Sequence, residues 1–280
     1  MEPGPLHHYP RLPDWLIYVA IVMALLIAAV GRRENADAPP APPPVEGEEA
    51  LPLSPTSPFA ADELVSARRH TEAGSAFSVG ETGVWVTARH VVRYCHRVAL
   101  MVAEGRGVIA KVRLDPKADM ALLITEGGAP ALPMMTKKAL LSGERGFHPG
   151  YPQGGAGEAT SRFLGRDTLP ARRRGEARQK VLAWAESGRT DQLTGSLAGL
   201  SGAPVLDAGG EVVGVTLAEQ PRRGRIYTSA PEPLIKLIAQ AKVRTPAAPL
   251  GEPITVENYG RVADSLRRDL RVAQVICLTK

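Results

Sequence analysis

The 280-residue sequence predicts an all-β domain, and three observations favour this fold class. From about Ser66 onward, short apolar or alternating runs are separated by turn residues, which is typical of antiparallel sandwiches and barrels. The 28 glycines and 25 prolines make up about a fifth of the chain, a surplus that indicates many turns. A mean hydropathy of −0.09 excludes a protein with many membrane spans, and a net charge of +5 excludes a highly charged disordered chain.

The first element along the chain is an uncharged apolar segment at residues 15–30, which follows a short tail of residues 1–14. Its sixteen residues would form a helix of about 24 Å, slightly shorter than the roughly 30 Å hydrocarbon core of a bilayer. The segment therefore predicts a transmembrane anchor. The apolar region of a cleavable signal peptide and a buried core helix are the alternatives.

Residues 31–58 are predicted to form a linker. Eight of the twenty residues from position 39 to position 58 are proline, and almost no large apolar side chains stand between them. Such a segment cannot bury a core, and we expect it to be an extended, semi-rigid spacer that holds a domain away from a membrane. A ligand for a proline-recognition domain is the alternative.

Two series of short strands are predicted after the linker, followed by helical and strand-like segments. A turn of residues 80–83 separates two apolar runs, which is a hairpin signature. The first series lies at residues 77–79, 84–86, 98–102, 108–112 and 120–124. The second lies at residues 161–164, 181–184, 204–206, 212–217 and 226–228. Helical spacing then follows near residues 234–241 and 259–270, and the strand-like run is 272–278.

The run GLSGAP at residues 199–204 places Ser201 between two glycines, just before a predicted strand. A serine on such a tight turn can act as a nucleophile, with backbone N–H groups converging nearby. An ordinary turn is the alternative reading of this run alone. A catalytic function therefore requires a base and an orienting acid elsewhere in the chain.

The order of the histidines limits which catalytic arrangement is possible. None of the six histidines follows Ser201, the last being His148, which we interpret as a loop histidine. This excludes the order serine, acid, histidine for Ser201 and leaves the order histidine, aspartate, serine open. His90 ends an alternating strand, and Asp119 directly precedes an apolar strand, where it could accept a hydrogen bond from an imidazole. Asp115 is the alternative acid.

Together these stretches resemble the chymotrypsin-like serine peptidases, closest to the bacterial branch that includes the HtrA proteases. The segment GYPQG at residues 150–154 resembles the start of the family's second barrel, and YTSAP at 227–231 its closing strand. The motifs that carry the resemblance are GSAF at 74–77, TARHVV at 87–92, DPKADMALL at 115–123 and GLSGAP at 199–204.

The resemblance implies a protease domain at residues 59–242 that consists of two six-stranded antiparallel β-barrels of chymotrypsin type. The first barrel would span about residues 66–135 and the second about residues 140–242, with the active site between them. An N-terminal membrane helix would precede the two barrels, and C-terminal helices would follow them. Residues 243–280 would be an extension without a counterpart in the family. The chain also ends too early after residue 242 for the PDZ domain of HtrA proteases.

The resemblance further implies a serine endopeptidase that hydrolyses protein or peptide substrates. His90 would act as general base and then general acid, Asp119 would fix its tautomer, and Ser201 would form the acyl-enzyme. The backbone N–H groups of Gly199 and Ser201 would form the oxyanion hole. The base of the primary specificity pocket would fall near Gly195, so we expect small or apolar side chains to be preferred over Lys or Arg.

Some residues depart from the family pattern. Leu200 stands where Asp or Asn is common, which excludes activation by a freed amino terminus that pairs with this acid. Ala203 replaces a common glycine, and Arg89 before the histidine is unusual. Asp191 is the nearest acid to the expected specificity pocket and is the alternative determinant there. These departures leave a second function open, a catalytically inactive, protease-like binding module at the membrane.

The two cysteines bear on localisation. Cys95 and Cys277 lie far apart in sequence, and we expect a disulfide that fixes the C-terminal tail to the first barrel, with two buried free thiols as the alternative. A disulfide requires an oxidising compartment. Arg32 and Arg33 weakly favour the opposite, a cytoplasmic location for the domain. We expect a protein of the bacterial inner membrane whose protease domain lies in the periplasm.

The sequence predicts no cofactor and no metal site. His96 adjoins Cys95, but no other Cys or His lies at a zinc-binding spacing. The basic run at residues 172–174 lacks interleaved aromatic residues, so nucleic acid is not an expected partner. The expected partners are a protein or peptide substrate and the membrane, and the sequence does not predict an oligomeric state.

Overall fold

The structure is a computed structural model that describes residues 14–30, 63–64, 73–80, 82–135, 139–170, 178–191, 193–243 and 251–278. The chain divides into two compact units, Met1–Glu34 and Asn35–Lys280. Apart from Asp14, the predicted N-terminal tail lies outside the described residues, and so does the predicted linker at residues 31–58.

The first unit contains helix α1 (Asp14–Val30), which covers the apolar segment predicted as an anchor. No helix in the described part of the chain is long and apolar enough to pass through a bilayer.

The first barrel of the second unit is formed by antiparallel strands and one short helix. Its strands close in the order β5-β4-β13-β2-β3-β6, with β6 pairing back to the second half of β5. Strand β1 pairs with the first two residues of β5, which β6 does not reach. The elements are β1 (Glu63–Leu64), β2 (Ala73–Gly80), β3 (Val84–Thr87), α2 (Arg89–Val92), β4 (Arg97–Ala103), β5 (Arg106–Leu114), β6 (Ala121–Ile124) and, from the end of the chain, β13 (Val272–Leu278).

The C-terminal strand β13 lies inside the first barrel, between β2 and β4. Val275 stands opposite Gly74 on one side and Leu100 on the other. Cys277 on the same strand forms a disulfide with Cys95, with a sulfur–sulfur distance of 2.10 Å. The sequence left residues 243–280 without a place in the fold, whereas the structure makes their last strand the sixth strand of this barrel.

The second barrel is closed by six antiparallel strands in the order β7-β8-β9-β12-β11-β10, with β10 pairing back to β7. The predicted fold class, two six-stranded antiparallel barrels of chymotrypsin type, is therefore confirmed. The strands are β7 (Arg145–Gly150), β8 (Gly157–Leu169), β9 (Gln179–Arg189), β10 (Pro204–Leu206), β11 (Val212–Gln220) and β12 (Arg225–Ser229).

Each barrel buries one tryptophan in its core and satisfies the indole N–H with a threonine hydroxyl. Trp85 on β3 donates to Thr125 Oγ1 over 3.2 Å, and Trp184 on β9 donates to Thr228 Oγ1 over 3.0 Å. A buried indole N–H without an acceptor would be destabilising, so these pairs allow the largest side chains to fill the two cores.

Two C-terminal helices follow the last strand of the second barrel. Helix α3 (Pro231–Gln240) buries its apolar face, and helix α4 (Tyr259–Arg268) precedes β13. Arg267 of α4 forms a buried ion pair with Glu158 of β8, with 2.9 Å between Nη2 and Oε2. Residues 259–278 therefore link the two barrels, because α4 packs against the second and β13 is a strand of the first.

Candidate active site

Pairing of two neighbouring strands brings His90 and Asp119 together. His90 lies in α2, directly after β3, and Asp119 directly precedes β6, which pairs with β3. The Asp119 carboxylate accepts two hydrogen bonds from His90, one from Nδ1 at 2.8 Å and one from the backbone N–H at 2.9 Å. With Nδ1 as the donor, Nε2 is the ring nitrogen that can accept a proton.

Asp115, the alternative acid, is engaged elsewhere. Its Oδ1 accepts the backbone N–H groups of Lys117 and Ala118 over 2.7 and 2.8 Å, which closes the turn before Asp119. The described contacts of the His90 ring include Asp119 and not Asp115. The structure therefore selects Asp119 from the two candidates as the partner of His90.

Ser201 lies on the turn before β10 and faces the first barrel. The Ser75 N–H donates to the Ser201 carbonyl over 2.9 Å. The next residue, Gly202, has a φ of +91°, and a Cβ there would clash with the Ser75 carbonyl and the Thr87 hydroxyl. It would also lie 3.0 Å from the backbone nitrogen of Ala88. Glycine at this position thus allows the turn to approach Thr87 and Ala88, at the end of β3 and just before His90.

Among the residues that the structure describes, no hydrogen bond joins the Ser201 hydroxyl to the His90 ring. This bond is often long or poorly aligned in enzymes without bound substrate and shortens when the substrate complex forms. The structure therefore joins His90 to Asp119 and places Ser201 on the facing turn.

The peptide bond between Ala198 and Gly199 is held in one orientation. The Ala198 carbonyl accepts the N–H of Gln153, and in a trans peptide the Gly199 N–H then points the opposite way. Gly199 has a φ of +99°, and a Cβ there would clash with the Tyr151 carbonyl. Within the described residues, the N–H groups of Gly199 and Ser201 have no acceptor. Two such donors next to a serine are the arrangement that an oxyanion hole requires.

A cavity of about 260 Å³ opens beside Ser201. Glu219 is the titratable residue in its lining, and its carboxylate accepts the Leu197 N–H over 2.8 Å and the Ser196 hydroxyl. These bonds join two walls of the cavity. Apart from Ser201, Thr216 and Glu219, the lining is apolar, namely Leu197, Ala198, Leu200, Leu217, Ala218 and Ile226.

Gly195, where the base of the specificity pocket is predicted, does not line this cavity, and Asp191 does not line it either. Arg189 Nη1 donates to the Gly195 carbonyl over 2.9 Å, and Arg189 is itself held by Glu186. A Cβ at Gly195 would meet nothing within 4 Å. The bond to Arg189 therefore directs Gly195 toward solvent. The cavity wall is formed by the residues from Leu197 onward.

Two of the sequence departures have a structural explanation. Leu200 is 2% exposed and packs in the core of the second barrel, so an acid at this position would be buried among apolar side chains. Arg89 donates from Nη1 to the Asp115 carbonyl over 3.2 Å. Arg89 therefore helps to fix the segment that carries Asp119.

Ser75 is a residue whose contribution the sequence did not reveal. Its hydroxyl donates to the Gly199 carbonyl over 2.8 Å and accepts the Tyr151 N–H over 3.0 Å. It thereby links β2 of the first barrel to the nucleophile turn of the second. The GSAF motif marked this position as part of the family pattern, but it did not indicate which group the hydroxyl binds.

His148 is a buried residue of β7 and not the loop histidine that the sequence suggested. Its side chain is fully buried, with Nε2 2.7 Å from Ser161 Oγ and Nδ1 3.2 Å from Thr216 Oγ1. Burial lowers the pKa of His148 from 6.5 to about 3. The ring is therefore neutral. It forms a hydrogen bond with the side chain of Thr216, a residue that lines the cavity beside Ser201.

We predict that His148 makes folding stability depend on pH. Its folded pKa is lower than its unfolded pKa, so the unfolded chain binds more protons between about pH 6.5 and pH 3. The free energy of unfolding should therefore decrease as the pH is lowered from about 6.5 to about 3. This residue contributes up to about 1.4 kcal/mol per pH unit to the decrease. His148→Gln keeps a donor and an acceptor but cannot titrate. Urea unfolding at pH 7, 6, 5 and 4 should show a smaller decline for this variant, and identical declines would contradict the prediction.

The sequence matches the model of the trypsin-like peptidase domain over residues 74–215. The chain belongs to this family. The match covers half of the chain, and it confirms the resemblance to chymotrypsin-like serine peptidases. No curated protein sequence matches the chain.

Solved structures of bacterial proteases are similar in fold. The active form of Rv3671c protease from M. tuberculosis is 20% identical, with a TM-score of 0.51, and the match covers 66% of this chain and 77% of that one. The HtrA-type protease AlgW with a decapeptide is 21% identical, with a TM-score of 0.48, over 60% of this chain and 50% of that one. The MamO protease domain from Magnetospirillum magneticum is 18% identical, with a TM-score of 0.46, over 63% and 92%. At these identities the likeness concerns the fold.

Proposed function

We propose that this trypsin-like peptidase is a serine endopeptidase that acts through His90, Asp119 and Ser201. The observation that carries the proposal is the pair of hydrogen bonds between the Asp119 carboxylate and His90, opposite the Ser201 turn. Two bonds fix the imidazole in both position and tautomer, which is the role of the acid in such a triad.

The reaction follows from these positions. Ser201 Oγ attacks the carbonyl carbon of the scissile peptide while His90 Nε2 takes the hydroxyl proton. The negative charge that develops on the carbonyl oxygen is stabilised by the N–H groups of Gly199 and Ser201. The imidazolium, stabilised by Asp119, then gives its proton to the leaving amine, and an acyl-enzyme on Ser201 remains. Water hydrolyses this ester with His90 again as the base.

The cavity beside Ser201 supports a preference for small or apolar side chains on the acyl side of the cleaved bond. Its lining is mainly aliphatic, and the Glu219 carboxylate is already bonded to Leu197 and Ser196. Incubation of the full-length chain with a peptide library, followed by mass spectrometry, tests both the activity and this preference. We expect cleavage mainly after small or aliphatic residues. Cleavage mainly after Arg or Lys would contradict the proposed preference, and no cleavage of any peptide would contradict the proposed activity.

We also propose that the protein is held at the bacterial inner membrane by residues 15–30, with its protease domain in the periplasm. The disulfide between Cys95 and Cys277 supports an oxidising compartment for this domain. Peptide mapping of the native protein without reductant should recover the two cysteines as a linked pair. Recovery of both as alkylatable thiols would contradict an exported domain.

A further inference from the structure

Gln153 makes three hydrogen bonds to the loop that leads to the nucleophile. It lies in the short 3-10 turn Pro152–Gly154 between β7 and β8, with a left-handed φ of +54°. Its backbone N–H donates to the Ala198 carbonyl. Its side-chain Nε2 donates to the carbonyls of Thr194 and Ser196 over 2.7 and 2.8 Å. Both protons of the amide are therefore used, and all three acceptors lie within residues 194–198.

The turn that carries Gln153 is fixed from its other side by the first barrel. The Tyr151 N–H donates to Ser75 Oγ of β2 over 3.0 Å. Gln153 thus connects a turn held by the first barrel with a loop of the second barrel.

The acceptors of the three bonds lie in the residues just before Gly199. The N–H of Gly199 must point into the oxyanion hole to stabilise the transition state. If the Ala198–Gly199 peptide rotated, its N–H would leave the site where the oxyanion forms, and the carbonyl of Ala198 would take its place. The bond from the Gln153 N–H opposes this rotation directly. The side-chain bonds to Thr194 and Ser196 limit the movement of the loop on which the peptide lies.

We propose that Gln153 is a positioning residue that holds the Gly199 N–H in the oxyanion hole. This inference rests on the proposed serine peptidase function and adds a residue outside the triad to it. The residue touches no substrate; it acts through the conformation of residues 194–199. Its loss should therefore weaken stabilisation of the transition state more than binding of the substrate.

The test compares Gln153→Gly with a matched control in the full-length chain. Glycine adopts the left-handed backbone without strain, so this variant removes the two side-chain bonds and keeps the turn. We expect kcat for peptide hydrolysis to fall about 10-fold to 100-fold, up to the loss seen when one oxyanion donor is removed, with KM changed by less than about 3-fold. Gln153→Asn, which tolerates the same φ but has a shorter side chain, should give a similar loss.

The control is Gln274→Ala, which removes a glutamine amide of β13 that donates to the Gly154 carbonyl over 3.0 Å and has no hydrogen bond to residues 194–198. We expect its kcat to stay within about twofold of the unmodified chain, since a single exposed hydrogen bond is lost away from the oxyanion loop. An unchanged kcat in Gln153→Gly, or equal losses in Gln153→Gly and Gln274→Ala, would overturn the inference.

Hydrogen exchange separates this inference from the proposed function, because it does not depend on catalysis. Amides of the peptide that covers residues 194–201 should exchange faster in Gln153→Gly than in the unmodified chain, and at the unmodified rate in Gln274→Ala. If the unmodified chain hydrolyses no peptide, the proposed function fails, and this exchange still decides whether Gln153 holds the loop. Equal exchange in all three proteins would overturn the inference.

Discussion

Replacing Ser201 by alanine is expected to lower kcat/KM for peptide hydrolysis by about 10⁵-fold to 10⁶-fold, because the reaction then has no nucleophile. The oxyanion hole and substrate binding should leave a small residual rate above that in water. The fold should be little affected, since the backbone bonds of the Ser201 turn to Ser75 and Thr216 do not involve the side chain that is removed.

A matched control is Ser187→Ala, which removes a hydroxyl from β9 that bonds Thr160 over 3.2 Å and bonds neither His90 nor Asp119. It should hydrolyse peptides at close to the unmodified rate. Hydrolysis by Ser201→Ala at the rate of the unmodified chain would exclude Ser201 as the nucleophile.

Ending the chain at Leu270 is expected to abolish both cooperative folding and hydrolysis. The truncation removes β13, which pairs with β2 and β4, and it withdraws the buried side chains of Val272, Ala273 and Val275 from the first barrel. The barrel would then have two unpaired strand edges, and an open barrel exposes both its core and its backbone groups. Thermal unfolding followed by circular dichroism, together with the yield of soluble protein, measures this effect.

The control for the truncation keeps β13 and removes only the covalent link. Cys95→Ser with Cys277→Ser should fold and hydrolyse peptides, with stability lowered by up to about 5 kcal/mol, because the disulfide closes a loop with a sequence separation of 182 residues. A chain ending at Leu270 that folds cooperatively and hydrolyses peptides would show that β13 is dispensable for the barrel.

The strands and the catalytic motifs could be predicted because their signals are local. The alternating run before His90 and the apolar run after Asp119 indicate strands by composition alone, and these strands pair in the structure. The turn at Ser201 was recognisable because its neighbouring Gly202 must have a positive φ and allow a close approach of the first barrel.

The place of β13 could not be predicted from the same kind of signal. The run at residues 272–278 shows a strand pattern, but its partners in β2 and β4 lie more than 170 residues away in sequence. No local sequence feature indicates which strands such a segment will pair with. The two cysteines gave the one long-range indication, and the structure joins them.

The Gly195 expectation depended on the path of a loop, which sequence spacing does not determine. Arg189 binds the carbonyl of Gly195 and directs that part of the loop away from the cavity. The burial of His148 could not be predicted from the sequence either. Its neighbours in sequence suggest a loop, and its environment is set by Ser161 and Thr216 on other strands.

The measurement that tests the catalytic assignment most directly is labelling of the full-length chain with a fluorophosphonate probe, followed by mapping of the modified peptide. We expect one adduct on Ser201, no adduct at this position in Ser201→Ala, and labelling slowed by at least about 100-fold in His90→Ala, where the serine lacks its base. Absence of labelling in the folded, unmodified chain, or an adduct on a different residue, would contradict the assignment and favour a protease-like binding module without catalytic activity.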